Sequence, residues 1–169
     1  MLITNDMAED TPMQKPLVWL LLSVLLIIVD QATKLWAEAQ LSDGSVINIL
    51  PVLNFKLAYN TGAAFSLLAD AGGWQKYFFS AIAVSVSAYL TYAISQAKAS
   101  EKQLVIAYSL VIAGALGNLV DRIRIEKVVD FIHVFYQSWH FPYFNVADMA
   151  ITIGAILMIM DAFNWKIFR

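Results

Sequence analysis

Cysteine is absent from this 169-residue chain, which removes disulfides, thiolate nucleophiles and thiolate metal sites together. Charge is also scarce. Asp, Glu, Lys and Arg supply 14% of the residues, where a soluble domain carries about a quarter. The net charge of −2 offers no basic surface, so no nucleic-acid partner is expected. Histidine occurs twice, as His133 and His140, without the spacing of a helical zinc motif or an evident third ligand. No metal and no cofactor are therefore expected. The serines have no obvious base, because the apolar runs hold no deep lysine to pair with one. No internal repeat supports an inverted-repeat transporter.

What the chain has instead is apolar length, with 60% of its residues hydrophobic. That excess points to a membrane protein with a single domain over residues 1–169. Crossing a bilayer takes about 20 apolar residues, and four runs qualify, at about 17–36, 77–97, 103–121 and 145–165. Residues 1–16 are polar and read as a loose tail. The triplet Ala37-Glu38-Ala39 raises the alternative of a cleaved signal peptide. The acidic leading tail, and Asp30 and Lys34 before the triplet, favour a retained helix. Four spans place both termini on one side. The positive-inside rule does not say which side, because the two sides carry near-equal numbers of Lys and Arg.

The connections at about 37–76 and 122–144 are long. The first contains VINILPVLNFKLAYN, partly alternating and rich in β-branched and aromatic residues. Asp43-Gly44 and Asn60-Thr61-Gly62 are turn signals in it. A short helix on the membrane is expected at 63–68. The second connection contains VVDFIHVFY, also strand-like. The expected fold class is an all-α membrane protein: four transmembrane helices with a small strand-rich sheet, or cradle, from the two connections.

Helical spacing shows which polar groups share a face. Gly114, Asn118 and Arg122 recur at steps of four, with Asp121 beside them. Asn145, Asp148 and Thr152 form a second face, and Asp30 and Lys34 a third. All lie toward the long connections, so three helices present polar groups at one depth, where such groups are functional candidates. Each also has a plain structural reading. Asp30 and Lys34 can be an ion pair that reaches to the interface. Asp121 and Arg122 can be an interfacial charge cluster, and Asn60 with Gly62 only a turn. Gly114 and Gly117 can simply allow close helix packing.

Asp130 and Asp148 sit among apolar residues, where an unpaired charge is costly. Lys127, near Asp130, is the one opposite charge at close spacing. If the two carboxylates converge, they share one proton and titrate as a unit. The ionised member can take a proton from a water attacking an amide carbonyl, while its protonated partner donates to the carbonyl oxygen. Asn118, Asn145 or Arg122 can orient substrate or stabilise developing charge. Spacing alone leaves open whether the two form such a dyad or stay isolated. It also leaves a proton-coupled transporter using Asp30 and Asp148, or an assembly factor whose polar cluster only holds the bundle.

Five motifs go further. Asp30-Gln31-Ala32-Thr33-Lys34 resembles the DQxxK motif of the lipoprotein signal peptidases (signal peptidase II), bacterial membrane aspartic peptidases. Asn60-Thr61-Gly62-Ala63-Ala64-Phe65 resembles their NxGAAF motif. Gly114 to Arg122 follows GGxxGNxxDR from its second position. Val128-Val129-Asp130-Phe131 and Phe144-Asn145-Val146-Ala147-Asp148 resemble the segments that carry the family's aspartates. The resemblance implies an endopeptidase that cuts a diacylglyceryl-modified prolipoprotein just before its lipidated cysteine. Asp130 and Asp148 would be catalytic, while Asn60, Gly62, Asn118, Arg122 and Asn145 would line the site. Asp30, Lys34 and Asp121 would support it. It also implies a monomer in contact with membrane lipid in the bacterial inner membrane, with cytoplasmic termini, a periplasmic site, and inhibition by the cyclic peptide globomycin. Three positions depart from the pattern: Ala113 and Glu126 stand where glycine is common, and Met149 where a small residue is common.

Overall fold

The computed structural model describes residues 11–62 and 73–168. Helix α1 (Leu20–Leu41) follows a 3₁₀ turn, Pro16–Trp19, whose proline sits where a missing N–H costs nothing. A hairpin of β1 (Val46–Leu50) and β2 (Leu53–Asn60) comes next, then α2 (Gln75–Ser95) and α3 (Lys102–Ile125). Strands β3 (Val128–Tyr136) and β4 (Trp139–His140) precede the last helix, α4 (Val146–Ala162). The expected short helix at 63–68 lies outside the described residues.

Polarity is inverted relative to a soluble protein. Leu21, Leu25 and Ile28 of α1 are 58–67% exposed, whereas Ser23, Asp30 and Lys34 on its other face are buried. On α4, Ile153, Ile156 and Ile159 point outward. Such apolar exteriors need lipid around them. Among the described residues, Pro16–Leu41, Gln75–Ser95 and Ala99–Ile125 are long and apolar enough to cross a bilayer, which makes this a multi-pass membrane protein. Helix α4 is shorter, at 17 residues.

Helix α3 is the hub and packs on the other three helices. Small residues allow its close approach to α4. A Cβ on Gly114 would lie 2.2 Å from the carbonyl oxygen of Ala147, and one on Gly154 would lie 2.8 Å from that of Ala107. This is the small-residue packing typical of membrane bundles. Helix α3 also runs past the expected end at 121, to Ile125, and stops where Glu126 turns into the left-handed region at φ 63°.

The two long connections do pair. The sheet has order β1-β2-β3-β4, all antiparallel. Ala58 faces Asp130 and Asn60 faces Val128, which leaves Asn60 diagonal to Asp130 on one sheet face. Successive strand residues point to opposite faces. Phe131 therefore enters an aromatic cluster with Trp36 and Phe55, at 6.4 and 5.7 Å between ring centroids, and docks the sheet on the end of α1. Asp130 points the other way.

At the far end of the bundle, the Gln103 side-chain amide donates to the carbonyls of Leu157 (3.2 Å) and Trp165 (3.0 Å), and its oxygen accepts from the Ile167 N–H (2.7 Å). The tail is less loose than its polarity suggests. Met13 N–H donates to Ala97 O and Ala99 N–H to Thr11 O, both at 2.9 Å, so residues 11–13 are pinned to the α2–α3 turn. Residues 1–10 lie outside the described set. The N-terminal segment, this turn and the C-terminal segment all gather opposite the sheet.

Candidate active site

Asn145 caps α4, and its extended backbone lets its side-chain oxygen accept the Asp148 N–H at 2.9 Å. The Asp148 carboxylate returns to the Asn145 N–H at 3.3 Å, completing a capping box. The cap thus fixes Asp148 in the first turn of α4, where an anion is favoured. The Asn145 side-chain amide reaches across to β3 and donates to Asp130 Oδ1 at 2.7 Å. It also shares its N–H groups with Val129 O and Asn118 Oδ1, both at 3.2 Å. One residue therefore touches both carboxylates.

Each carboxylate has a further amide donor. Asn118 Nδ2 donates to Asp148 Oδ1 at 2.8 Å, and Asn60 Nδ2 to Asp130 Oδ2 at 3.3 Å. Burial, and then the negative charge of Asp148, push the Asp130 carboxyl up to about 7, although the two asparagine donors oppose the shift. Asp130 is only 2% exposed.

The second acidic group lies deeper. Lys34 Nζ contacts Asp30 Oδ2 at 2.8 Å and Asp121 Oδ2 at 2.9 Å, with all three side chains at most 1% exposed. Asp30 Oδ1 accepts the Ala147 N–H at 2.9 Å, and Asp121 Oδ2 the Val129 N–H at 3.1 Å. These carboxylates thereby fix the starts of α4 and β3. Gly117 leaves room for this, since a Cβ there would lie 2.7 Å from Asp30 Oδ2.

The structure bears on the plain readings of these polar groups. Asp30 and Lys34 do form an ion pair, yet it does not reach the interface: Lys34 is wholly buried and its cation is shared with Asp121. Lys34 is also the deep lysine that the sequence did not show, although its contacts are carboxylates and an asparagine rather than a serine. Asp121 and Arg122 do not act together. Asp121 turns inward to Lys34, whereas Arg122 Nη2 donates to Gly62 O at 2.9 Å and its guanidinium lies over the Phe79 ring at 5.2 Å. Asn60 and Gly62 do form a turn, closed by the Gly62 N–H on Asn60 Oδ1 at 2.9 Å, and that turn also aims Asn60 at Asp130.

These groups meet at one end of a cleft of about 620 Å³. Asn60, Gly62, Asn118, Arg122, Asp130 and Asp148 line the polar end. The remainder is apolar, with Phe79, Ile82 and Val86 of α2 facing Ile151 and Ile153 of α4 across Val111 and Ala115 of α3. Ile82 and Ile153 are both exposed, so the cleft opens sideways toward lipid. Asn145, Asp30, Lys34 and Asp121 lie behind this lining. The site-side role of α2 was not legible from sequence, since its cleft residues are apolar like the rest of the span. The run Phe141 to Tyr143, which also walls the cleft, carried no site signal in the sequence.

His133 and His140 serve the sheet. His133 Nδ1 lies 3.0 Å from Asn54 Oδ1 and its Nε2 lies 3.1 Å from His140 Nδ1, while its ring stacks on Tyr143. Burial first, then His140 and Lys56, hold the His133 imidazole below its ordinary range. Among the described residues no three His, Asp or Glu side chains are grouped to hold a metal ion.

Comparison with known proteins gives one consistent answer. A family model described as Signal peptidase (SPase) II matches residues 22–164. A lipoprotein signal peptidase of Pseudoalteromonas translucida is 53% identical over 148 residues, covering 88% of this chain and 89% of that protein. One from Acinetobacter baumannii is 50% identical over 147 residues, covering 87% and 84%. A bacterial membrane enzyme solved in meso at 2.3 Å superposes with a TM-score of 0.77 at 31% identity, over 95% of this chain and 98% of its own.

Proposed function

The chain belongs to the signal peptidase II family, and from that premise we infer that it is an aspartic endopeptidase acting on diacylglyceryl-modified prolipoproteins. It removes the signal peptide by cutting just before the lipidated cysteine. The observation that carries this reading is the pair Asp130 and Asp148, joined through Asn145 at the polar end of a cleft whose remainder is apolar.

One proton serves the pair. Asp148 keeps the charge, because it sits in the first turn of α4 and accepts the backbone N–H of the Asn145 cap. Asp130 holds the proton, in line with its rise to about 7. A water between them attacks the scissile carbonyl as Asp148 takes its proton, and Asp130 protonates the carbonyl oxygen. The tetrahedral species collapses when the proton on Asp148 passes to the departing amine and Asp130 recovers its own. The products are a free carboxylate on the signal peptide and a free amine on the lipidated cysteine. Asn60 supports Asp130, and Arg122 clasps the 60–62 turn against α3 and leaves its charge beside the substrate path.

The substrate fits both halves of the cleft. Lipid chains and the signal peptide's apolar stretch occupy the α2–α4 side, open to the bilayer, while the scissile bond meets the carboxylates at the surface. In this reading α4 is the fourth span, its 17 residues rising about 25 Å against a hydrocarbon core of about 30 Å. The enzyme is a monomer in the bacterial inner membrane, with the end bearing the termini in the cytoplasm and the sheet and carboxylates in the periplasm. A cyclic peptide such as globomycin would bind across the two carboxylates. The test is to offer the purified protein a diacylglyceryl prolipoprotein and its unlipidated form. Cleavage confined to the lipidated precursor is expected; equal cleavage of both would remove lipid recognition from the account.

A further inference from the structure

Lys34 spends all three of its N–H groups inside the protein. Two go to Asp30 and Asp121, and the third to Asn118 Oδ1 at 2.9 Å. The Asn118 oxygen also accepts the Asn145 amide at 3.2 Å. With its oxygen held there, the Asn118 carboxamide can only turn its NH₂ toward Asp148, which it meets at 2.8 Å. The reverse orientation would set NH₂ against an ammonium and a carbonyl oxygen against a carboxylate. Both contacts are repulsive in a site shielded from water. Lys34 does not line the cleft and so does not touch substrate.

We propose that Lys34 is a positioning residue for the peptidase reaction, acting through the side-chain orientation of Asn118 to present Asp148 as the general base. The inference rests on the dyad reading above and adds a third layer to it: a buried cation, a neutral amide and then the reacting carboxylate. It also explains why the buried cation is shared by two aspartates. Together they fix the ammonium in space, so that its remaining N–H has one direction.

The test holds net charge constant. Relative to wild type, the charge-balanced pair Lys34→Met with Asp121→Asn should lower kcat about 10- to 100-fold, the loss usual for a residue that orients a catalytic group, with KM within about two-fold. Repeating the change after Asn118→Ala should cost nothing further beyond about two-fold, since the route to Asp148 is already cut. A loss that recurs in full without Asn118, or that tracks melting temperature alone, overturns the proposal, as does unchanged kcat. The second charge-balanced pair, Lys34→Met with Asp30→Asn, repeats the measurement. If neither pair folds while both single Asn variants do, Lys34 serves the bundle alone and the proposal is wrong. Asp130→Asn and Asp148→Asn, assayed in parallel, separate the two claims. If they are inactive while Lys34→Met changes nothing, only the positioning role fails; if they are active, the dyad itself fails.

Discussion

Two pairs of aspartates lie near one another in this protein, Asp30 and Asp121 both buried, Asp130 buried beside a half-buried Asp148, and the pairs have different partners. Asp30 and Asp121 enclose Lys34. Asp130 and Asp148 receive asparagine and backbone N–H groups, while the other pair receives a cation in addition to its backbone N–H groups. An ammonium lies 2.8–2.9 Å from both of its carboxylates, and each of these also accepts a backbone N–H at the start of an element. Amide donors orient a carboxylate without adding charge, which suits the second pair to the proton transfer proposed above. On the proposed reading, burial does not separate a supporting acid from a reactive one. The nature of the donor does.

The sharpest way to break this contrast is to remove each charge by an isosteric change. Asp130→Asn or Asp148→Asn should lower turnover of a diacylglyceryl prolipoprotein by about 10³-fold or more while the protein still folds. Wild-type turnover by either variant would erase the difference between the pairs. Asp121→Ala should do the opposite kind of damage. It strips Lys34 of one partner and orphans the Val129 N–H, and breaking a buried ion pair costs about 3–5 kcal/mol. A melting temperature equal to wild type would show that the lysine cluster is not structural.

A smaller effect is set by pH. The folded-state value of Asp130, about 7, lies above its unfolded value of about 3.9, so folding favours its protonated form. That contribution is fully present below the unfolded value and is lost as pH rises through about 7, at up to about 1.4 kcal/mol per pH unit in between. Melting temperature should fall across this window in wild type and stay flat in Asp130→Asn. Turnover should fall on the alkaline side of about 7 as the shared proton leaves the pair.

Much of this contrast was written in the chain. The helical spacing of Asn118, Arg122, Asn145 and Asp148, and the cost of burying Asp130, singled out residues that the fold brings together at one end of the cleft. Alternating residues in both long connections anticipated the sheet. What spacing could not show was the division of labour between neighbours. Asp121 and Arg122 are adjacent, yet they point to different partners 34 and 62 because the helix turns between them. Lys34 looked like a residue that reaches toward water, since an i,i+4 pair says nothing about a third helix bringing a second carboxylate. The apolar wall on α2 carried no mark, because lipid-facing and cleft-facing residues there have the same chemistry.

The central claim concerns where one proton resides, and carboxyl infrared spectroscopy reads it directly. Wild type should show a protonated carboxyl C=O band at mildly acidic pH that fades as pH rises through about 7. Asp130→Asn should lack that band, and Asp121→Asn should keep it. A wild type without the band, or a band that survives Asp130→Asn, would contradict the account.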